Sequence, residues 1–329
     1  LYWLDEPIRE FAAWTDEEWL SAIQAHGDND SRLDPAGVFV GGRYQLVQAL
    51  REATTVAPAR FAALTSRVAR VGHVDYFWGI VDGLARSDLA GVDVDRVVEL
   101  ASGVEGRDDL AFAGLCRRAA DLELAGERTT EALRAIAATR PTELDPFSNE
   151  EQSFRHDMVW INRADSIALA GHVTSIAHTN DPLDELESIV SAVVDDNDTP
   201  RVVAVVWGLA PWIDRSPEIA RNHAERILAA RPEIAACQAA RRLTHYLGSR
   251  GWPVRPALWE SLVSSTSDPV AEEGGRWWAL AHVEEPTDFA SAVVQLTPPA
   301  RAGAAAELAN MVRARPTKHV IGALRELLC

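Results

Sequence analysis

Apolar residues along this chain recur at spacings of three and four, the mark of helices that bury one face. In the run after Gly41-Gly42, the positions Leu46, Leu50 and Ala53 fall on one such face. Phe61, Leu64 and Val68 repeat it after Pro58, and Tyr76, Phe77, Ile80, Val81 and Leu84 repeat it one helix later. Val97, Val98 and Ala101 follow, behind Asp93 or Asp95 as a capping residue. β-branched and aromatic residues do not cluster in alternating runs, while Ala, Leu, Arg and Glu abound throughout. This is the palette of helices.

Helix starts are well marked. Thr15 followed by Glu18 forms a capping box, and Asp16 and Glu17 add the acidic first turn that suits the helix dipole. In the second half a capping residue, a proline or both open runs at Asp181-Pro182, Thr199-Pro200, Ser216-Pro217, Arg231-Pro232, Arg255-Pro256, Asp268-Pro269, Pro298-Pro299 and Arg315-Pro316. Alternate starts lie roughly 30 to 40 residues apart, the period of helix–turn–helix repeats of the TPR and HEAT kind. The pattern predicts about sixteen to eighteen helices in antiparallel pairs. The fold class expected is therefore all-α, an α-solenoid of TPR/HEAT-like helix pairs. Such a stack leaves an extended concave face as its default binding surface.

One segment interrupts the rhythm. From Arg140-Pro141 to Asp157 the chain is polar, holds Pro141 and Pro146, and has no apolar stripe. The expected organisation is a repeat array over 1–140, an irregular insertion over 141–157 and a second part of the array over 158–329.

Charge narrows the function classes. A formal net charge of -17 repels phosphate backbones, which disfavours nonspecific nucleic-acid binding and steers a basic protein face instead. Lys318 is the only lysine and has no glycine-rich turn before it, so no Walker-type nucleotide site is expected. Cys116, Cys237 and Cys329 are far apart and odd in number, the usage of a reducing compartment such as the cytoplasm. No apolar run approaches the roughly 20 residues of a bilayer span. The start at Leu1 reads as a piece of something longer.

Candidate chemistry is sparse. His156, His172 and His178 lack the i, i+4 spacing of a helical zinc pair, since His172 and His178 lie six apart. Asp195-Asp196-Asn197-Asp198 resembles a calcium loop, yet Thr199-Pro200 follows where the loop needs glycine and glutamate, so a helix cap is expected. Glu17-Glu18, Glu272-Glu273 and Glu284-Glu285 read as solvated pairs in first turns or exposed loops. No nucleophile elbow occurs, so neither catalysis nor a cofactor of this chain's own is expected. Trp19, Trp78, Trp160, Trp207, Trp277 and Trp278 lie in apolar stripes and are expected in the core. Trp252, Arg255 and Trp259 are the candidate partner contacts, because Trp and Arg dominate binding hot spots.

Gly41-Gly42-Arg43-Tyr44-Gln45-Leu46, then Pro58-Ala59-Arg60-Phe61-Ala62, then Tyr76-Phe77-Trp78-Gly79-Ile80-Val81-Asp82-Gly83-Leu84 stand in order in the first half. With Trp19-Leu20 and Trp160-Ile161-Asn162-Arg163, they resemble the C-terminal helical region of Avs proteins, bacterial antiviral ATPases of the STAND class. That resemblance implies a sensor for a phage protein of terminase or portal type. ATP and Mg would be bound, copies would assemble, and an effector would be switched on through a module upstream of this chain. Two other readings compete: a HEAT-like scaffold for a host complex, and an enzyme on a helical-repeat frame such as a DNA glycosylase. The acidic balance argues against the last.

Overall fold

The computed structural model describes residues 13–26, 32–33, 39–40, 42–139, 163–179, 183–196, 198–282, 293–314 and 316–328. Within them lie seventeen α-helices and one two-stranded ribbon, in two compact units. The first unit contains α1 (Asp16–Ala25), β1 (Arg32–Leu33), β2 (Phe39–Val40), α2 (Gly42–Val56), α3 (Pro58–Val71), α4 (Val74–Ala85), α5 (Val94–Ser102), α6 (Asp109–Asp121), α7 (Glu127–Ala138) and α8 (Ala164–Ile176). The second contains α9 (Leu183–Val194), α10 (Thr199–Gly208), α11 (Trp212–Arg215), α12 (Pro217–Ala230), a 3₁₀ turn (Pro232–Ala236), α13 (Gln238–Ser249), α14 (Pro256–Val263), α15 (Asp268–His282), α16 (Pro298–Ala314) and α17 (Lys318–Leu328).

In the first unit α1, α3, α5 and α7 pack in one layer, and α2, α4, α6 and α8 in the other. The second unit continues the principle with α9, α12 and α14 against α10 and α13. In the first unit each helix thus rests on the helix two places on, which is the contact rule of stacked helix pairs, while α14, α15 and α16 of the second pack chiefly on their immediate neighbours. Hydrogen bonds spanning 31 to 35 residues trace the same period: Arg51 to Asp82, Arg118 to the Ser87 carbonyl, Thr129 to Asp95, Arg226 to Ser191, Arg231 to Thr199, Arg255 to Asn222 and Thr297 to the Val263 carbonyl. The fold is all-α and solenoid-like. Among the described residues no helix is long and apolar enough to cross a membrane.

The stripes read from the sequence are the core. Leu46, Leu50, Phe61, Leu64, Val68, Tyr76, Phe77, Ile80, Val81, Leu84, Val97, Val98 and Ala101 are all buried. The capping box at Thr15 and Glu18 is formed in both directions. Pro58, Pro217 and Pro256 each open an α-helix, while Pro232 opens the 3₁₀ turn instead. Asp198 stands at the N-cap position of α10 with Pro200 just inside, though its side chain makes no capping hydrogen bond to the first amides.

The division into units differs from the expected one. α8 packs on α6 and α7 and so belongs to the first unit, which runs on to Thr179. From Asp165 to Ile176 every residue of α8 is buried, so the helix has no polar face and no periodicity to reveal its neighbours. The expected insertion at 141–157 lies outside the described residues. β1 and β2, paired antiparallel as Arg32 with Val40 and Leu33 with Phe39, are too short to leave an alternating pattern.

One helix start is capped from a distance. Gly126 precedes α7 and offers no side chain to its first amides. Asp95 of α5 fills the place: its carboxylate accepts from the backbone N–H of Arg128 and Thr129 at 3.4 and 3.2 Å and from the Thr129 hydroxyl. A Cβ at Gly126 would collide with that carboxylate. Asp95→Ala is expected to destabilise the first unit by about 2 kcal/mol, because it strips the cap and leaves the buried Thr129 hydroxyl unpaired. Urea unfolding of the variant checks this, and a midpoint equal to wild type would discard it.

Candidate functional site

The second unit carries the more strongly functionalised depression. α13 buries Ala239, Ala240, Leu243, Thr244 and Leu247, which leaves Arg241, Arg242, His245 and Tyr246 on its outer face. α15 buries Val270, Ala271, Gly274, Trp277 and Trp278 and brings Arg276 and Leu280 to the edge of the same face. Between these helices, with Glu307 of α16 at one side, lies a groove of about 370 Å³. Tyr246 and Leu280 are exposed at its rim.

The position of α15 depends on glycine. A Cβ at Gly275 would overlap the Ala300 carbonyl oxygen of α16, and a Cβ at Gly303 would overlap the Glu272 carbonyl oxygen of α15. The two notches are reciprocal, and the pairing 275 with 300 and 272 with 303 makes the helices antiparallel. Gly274 does the same on the adjoining side, where a Cβ would stand 2.6 Å from the Val263 nitrogen of α14. Backbone contact on two sides fixes the height of Glu273 and Arg276 relative to their neighbours.

Glu273 is the unusual residue of the groove. It is only 2 % exposed, yet it is a carboxylate. Arg241 Nε lies 2.6 Å from Oε2, Arg276 Nε lies 3.6 Å from the same oxygen, and Trp277 Nε1 donates to Oε1 at 3.1 Å. Burial nevertheless outweighs the two guanidiniums and pushes the carboxyl up to about 7. Arg276 is shared, since it also reaches Glu272 at 2.9 Å and Glu307 at 3.9 Å. Arg242 has a different role: its guanidinium lies 4.7 Å from the ring centroid of the half-buried Trp207 on α10, and it makes no ion pair among the described residues.

This corrects the reading of Glu272-Glu273 as a solvated pair. Glu272 is half-buried and Glu273 is core, because Val270, Glu273 and Trp277 share the buried face of α15. Glu17 and Glu18 are exposed in the first turn of α1, as expected, and Glu284-Glu285 lie outside the described residues. The spacing of Glu273 to Trp277 was the available signal. What the sequence lacked was the arrival of α13 and α16 over that face.

The candidate contacts fall elsewhere and do not form one patch. Trp259 is buried on α14, with its ring 5.0 Å from that of His282. Trp252 is half-buried beneath the Arg221 guanidinium, 4.9 Å from its ring centroid. Arg255 is exposed but bound to α12, donating its backbone N–H to Glu225 at 2.7 Å and a guanidinium N–H to Asn222 at 2.7 Å. Trp252 and Arg255 therefore share α12 as their support, while Trp259 faces inward. Trp19, Trp78, Trp277 and Trp278 are buried as the stripes required, Trp207 is half-buried, and Trp160 lies outside the described residues.

Other features carry less. A second depression of about 460 Å³ lies between α1 and α3, where Arg67 is paired with Glu17 at 2.8 Å and Arg70 donates to the Ser66 carbonyl of its own helix at 3.0 Å. Among the described residues no three His, Cys, Asp or Glu side chains gather where one ion would be held. His172 is buried in α8, His178 is exposed beyond its end, and His156 lies outside the described residues. Cys116 and Cys237 are buried, and burial pushes the Cys116 thiol up to about 12, so it stays protonated at neutral pH. No family model matches the chain, and no curated protein or solved structure matches it.

Proposed function

We propose that this chain is a helical-repeat recognition module without chemistry of its own, and that it serves as the sensor of a bacterial STAND-class NTPase. Its target is a phage protein of terminase or portal type, and binding triggers assembly and effector activity through an upstream module that holds ATP and Mg. The observation that carries the reading is the separation of scaffold from surface. The residues that resemble the Avs helical region form α2, α3 and α4, and their apolar positions Leu46, Leu50, Phe61, Leu64, Tyr76, Phe77, Ile80 and Leu84 are all core. Gly79 and Gly83 belong to the same framework, since a Cβ at Gly83 would stand 2.6 Å from the Arg51 carbonyl oxygen of α2. Residues held in common are then those that build helix pairs. The groove of the second unit, rich in the Arg and Tyr chemistry of hot spots, is free to suit a target.

The test uses the full-length parent gene. Cells that carry it are expected to resist a phage whose terminase or portal subunit co-purifies with this chain, and deletion of these residues should abolish both resistance and co-purification. Resistance that survives the deletion, or a parent gene without an ATPase module, removes the sensor reading. A host protein at stoichiometric yield, with no phage protein during infection, would favour the scaffold reading instead.

A further inference from the structure

The groove between α13 and α15 gathers cations in a protein of net charge -17. Arg241, Arg242 and Arg276 line it with Glu273 and Glu307, and Glu272 pairs with Arg276 at its edge, so the cluster is neutral while Glu273 is ionised and one charge positive once Glu273 is protonated. The cations differ in availability. Arg276 is already divided among Glu272, Glu273 and Glu307, and Arg241 is engaged by Glu273. The Arg242 guanidinium lies over the Trp207 ring, with no carboxylate ion-paired to it among the described residues. A guanidinium stacked on an aromatic face loses little freedom when it then grips a carboxylate. Beside it the groove offers apolar surface, since Tyr246 and Leu280 are 44 % and 41 % exposed.

We infer that this groove receives a short acidic segment of a partner protein, with Arg242 and Arg241 taking its carboxylates and Tyr246 and Leu280 flanking an apolar side chain. The inference deepens the recognition reading above and rests on it. Nucleic acid fits the site less well: its backbone would meet Glu307 and Glu273 as well as the long-range field of an acidic protein. A short acidic segment also meets Glu307 and Glu273, but with fewer charges than a nucleic-acid backbone, and a basic surround on its parent protein escapes the long-range repulsion, because steering and local pairing act on different parts of the partner.

Glu273 sets the pH response of the site. It is an internal anion lying where Arg241 would meet the ligand, 2.6 Å from that guanidinium. The groups around it are Arg241 and His245 on α13, Glu272 and Arg276 on α15, and Glu307 on α16. A carboxylate entering the groove disfavours the charged form of Glu273, so binding takes up a proton. Affinity is therefore highest below about pH 7, where Glu273 is protonated and Arg241 is released, and falls as the pH rises through that value.

The experiment is fluorescence anisotropy with a labelled pentapeptide of alternating glutamate and leucine, titrated with the whole chain from pH 6 to pH 8. Controls are the same peptide with glutamine for glutamate and a labelled oligothymidylate. Saturable binding of the acidic peptide is expected, weakening as the pH rises. Arg242→Glu should weaken it about tenfold or more, the loss of one charge-assisted pair. Arg70→Glu on α3 changes the net charge equally but lies in the other unit, and should leave it unaltered. Glu273→Gln should tighten binding at pH 8 and flatten the pH dependence. Equal binding of the glutamine peptide, equal or tighter binding of oligothymidylate, indifference to Arg242→Glu, or equal weakening by Arg70→Glu each overturns the proposal. Loss of peptide binding with phage-protein capture intact discards the groove alone. Peptide binding in a chain that captures no phage protein discards the sensor reading and leaves the groove.

Discussion

Gly303→Val is expected to destabilise the second unit by about 3 kcal/mol or more, at or beyond the upper end of ordinary overpacking. The usual relief for an oversized residue is rotation of a neighbouring side chain. Here the added Cβ would meet the carbonyl oxygen of Glu272, which belongs to the backbone of α15 and cannot rotate away. α15 and α16 would have to separate, and the groove wall formed by Glu273, Arg276 and Glu307 would separate with them. Gly275→Val meets the Ala300 carbonyl in the same interface and should cost a similar amount. The two substitutions are relieved by one movement, so their combination should cost less than the sum of the singles. Gly248→Ala supplies the contrast. It lies in α13 with nothing within 4 Å of an added Cβ, and should stabilise by about 0.5 to 1 kcal/mol through the entropy of the unfolded chain. Urea unfolding followed by circular dichroism, with hydrogen exchange to locate the change in α15 and α16, checks all four variants. Wild-type stability in Gly303→Val would show that the close approach of these helices is not needed.

The framework of this molecule could be read from the sequence because its signals are local. A cap at Thr15, a proline at 58, 217 or 256 and a stripe such as Phe61, Leu64 and Val68 each state where a helix begins and which side it buries. They need no knowledge of the partner helix. The features that escaped are those created by a second element. Asp95 reads as one more capping candidate for its own helix, yet it caps α7, and only Gly126 hints that the start of α7 needs help. α8 is buried on every side, which erases the periodicity that would have assigned it to a unit. Glu273 sits on the apolar face of α15, and Trp277 four residues on marks that face. A carboxylate there reads as a solvated residue until Arg241 arrives from α13 and Arg276 folds over it. The tryptophans divide in the same way. Those within stripes are core, whereas the turn at Trp252 and the helix start at Trp259 reveal their surroundings only once α12 and His282 are in place.

Glu273→Gln is expected to make the second unit more stable at pH 8, against the ordinary expectation for a carboxylate between two arginines. The reason is the sign of its displacement. In the unfolded chain the carboxyl titrates near 4.5, and in the folded unit burial holds it at about 7 despite Arg241 and Arg276. Below 4.5 both states are protonated and the residue contributes no difference. Between the two values the unfolded state releases its proton while the folded state keeps it, so wild-type stability falls as the pH rises, and the loss is complete just above 7. A displacement of this size corresponds to about 3 kcal/mol. Glutamine keeps the shape and can still accept from Trp277, but it has no charge to desolvate, so its stability should lack that decline. The gap between variant and wild type should therefore widen by about 3 kcal/mol in favour of glutamine from pH 4.5 to pH 8. Arg241→Gln should carry the decline to higher pH, because it removes the nearer cation and leaves burial less opposed. Hydrogen exchange of the α15 amides across this range reads both effects. A constant gap between Glu273→Gln and wild type would mean that Glu273 is ionised in the folded unit throughout. The groove would then have no proton to take up when a ligand carboxylate enters.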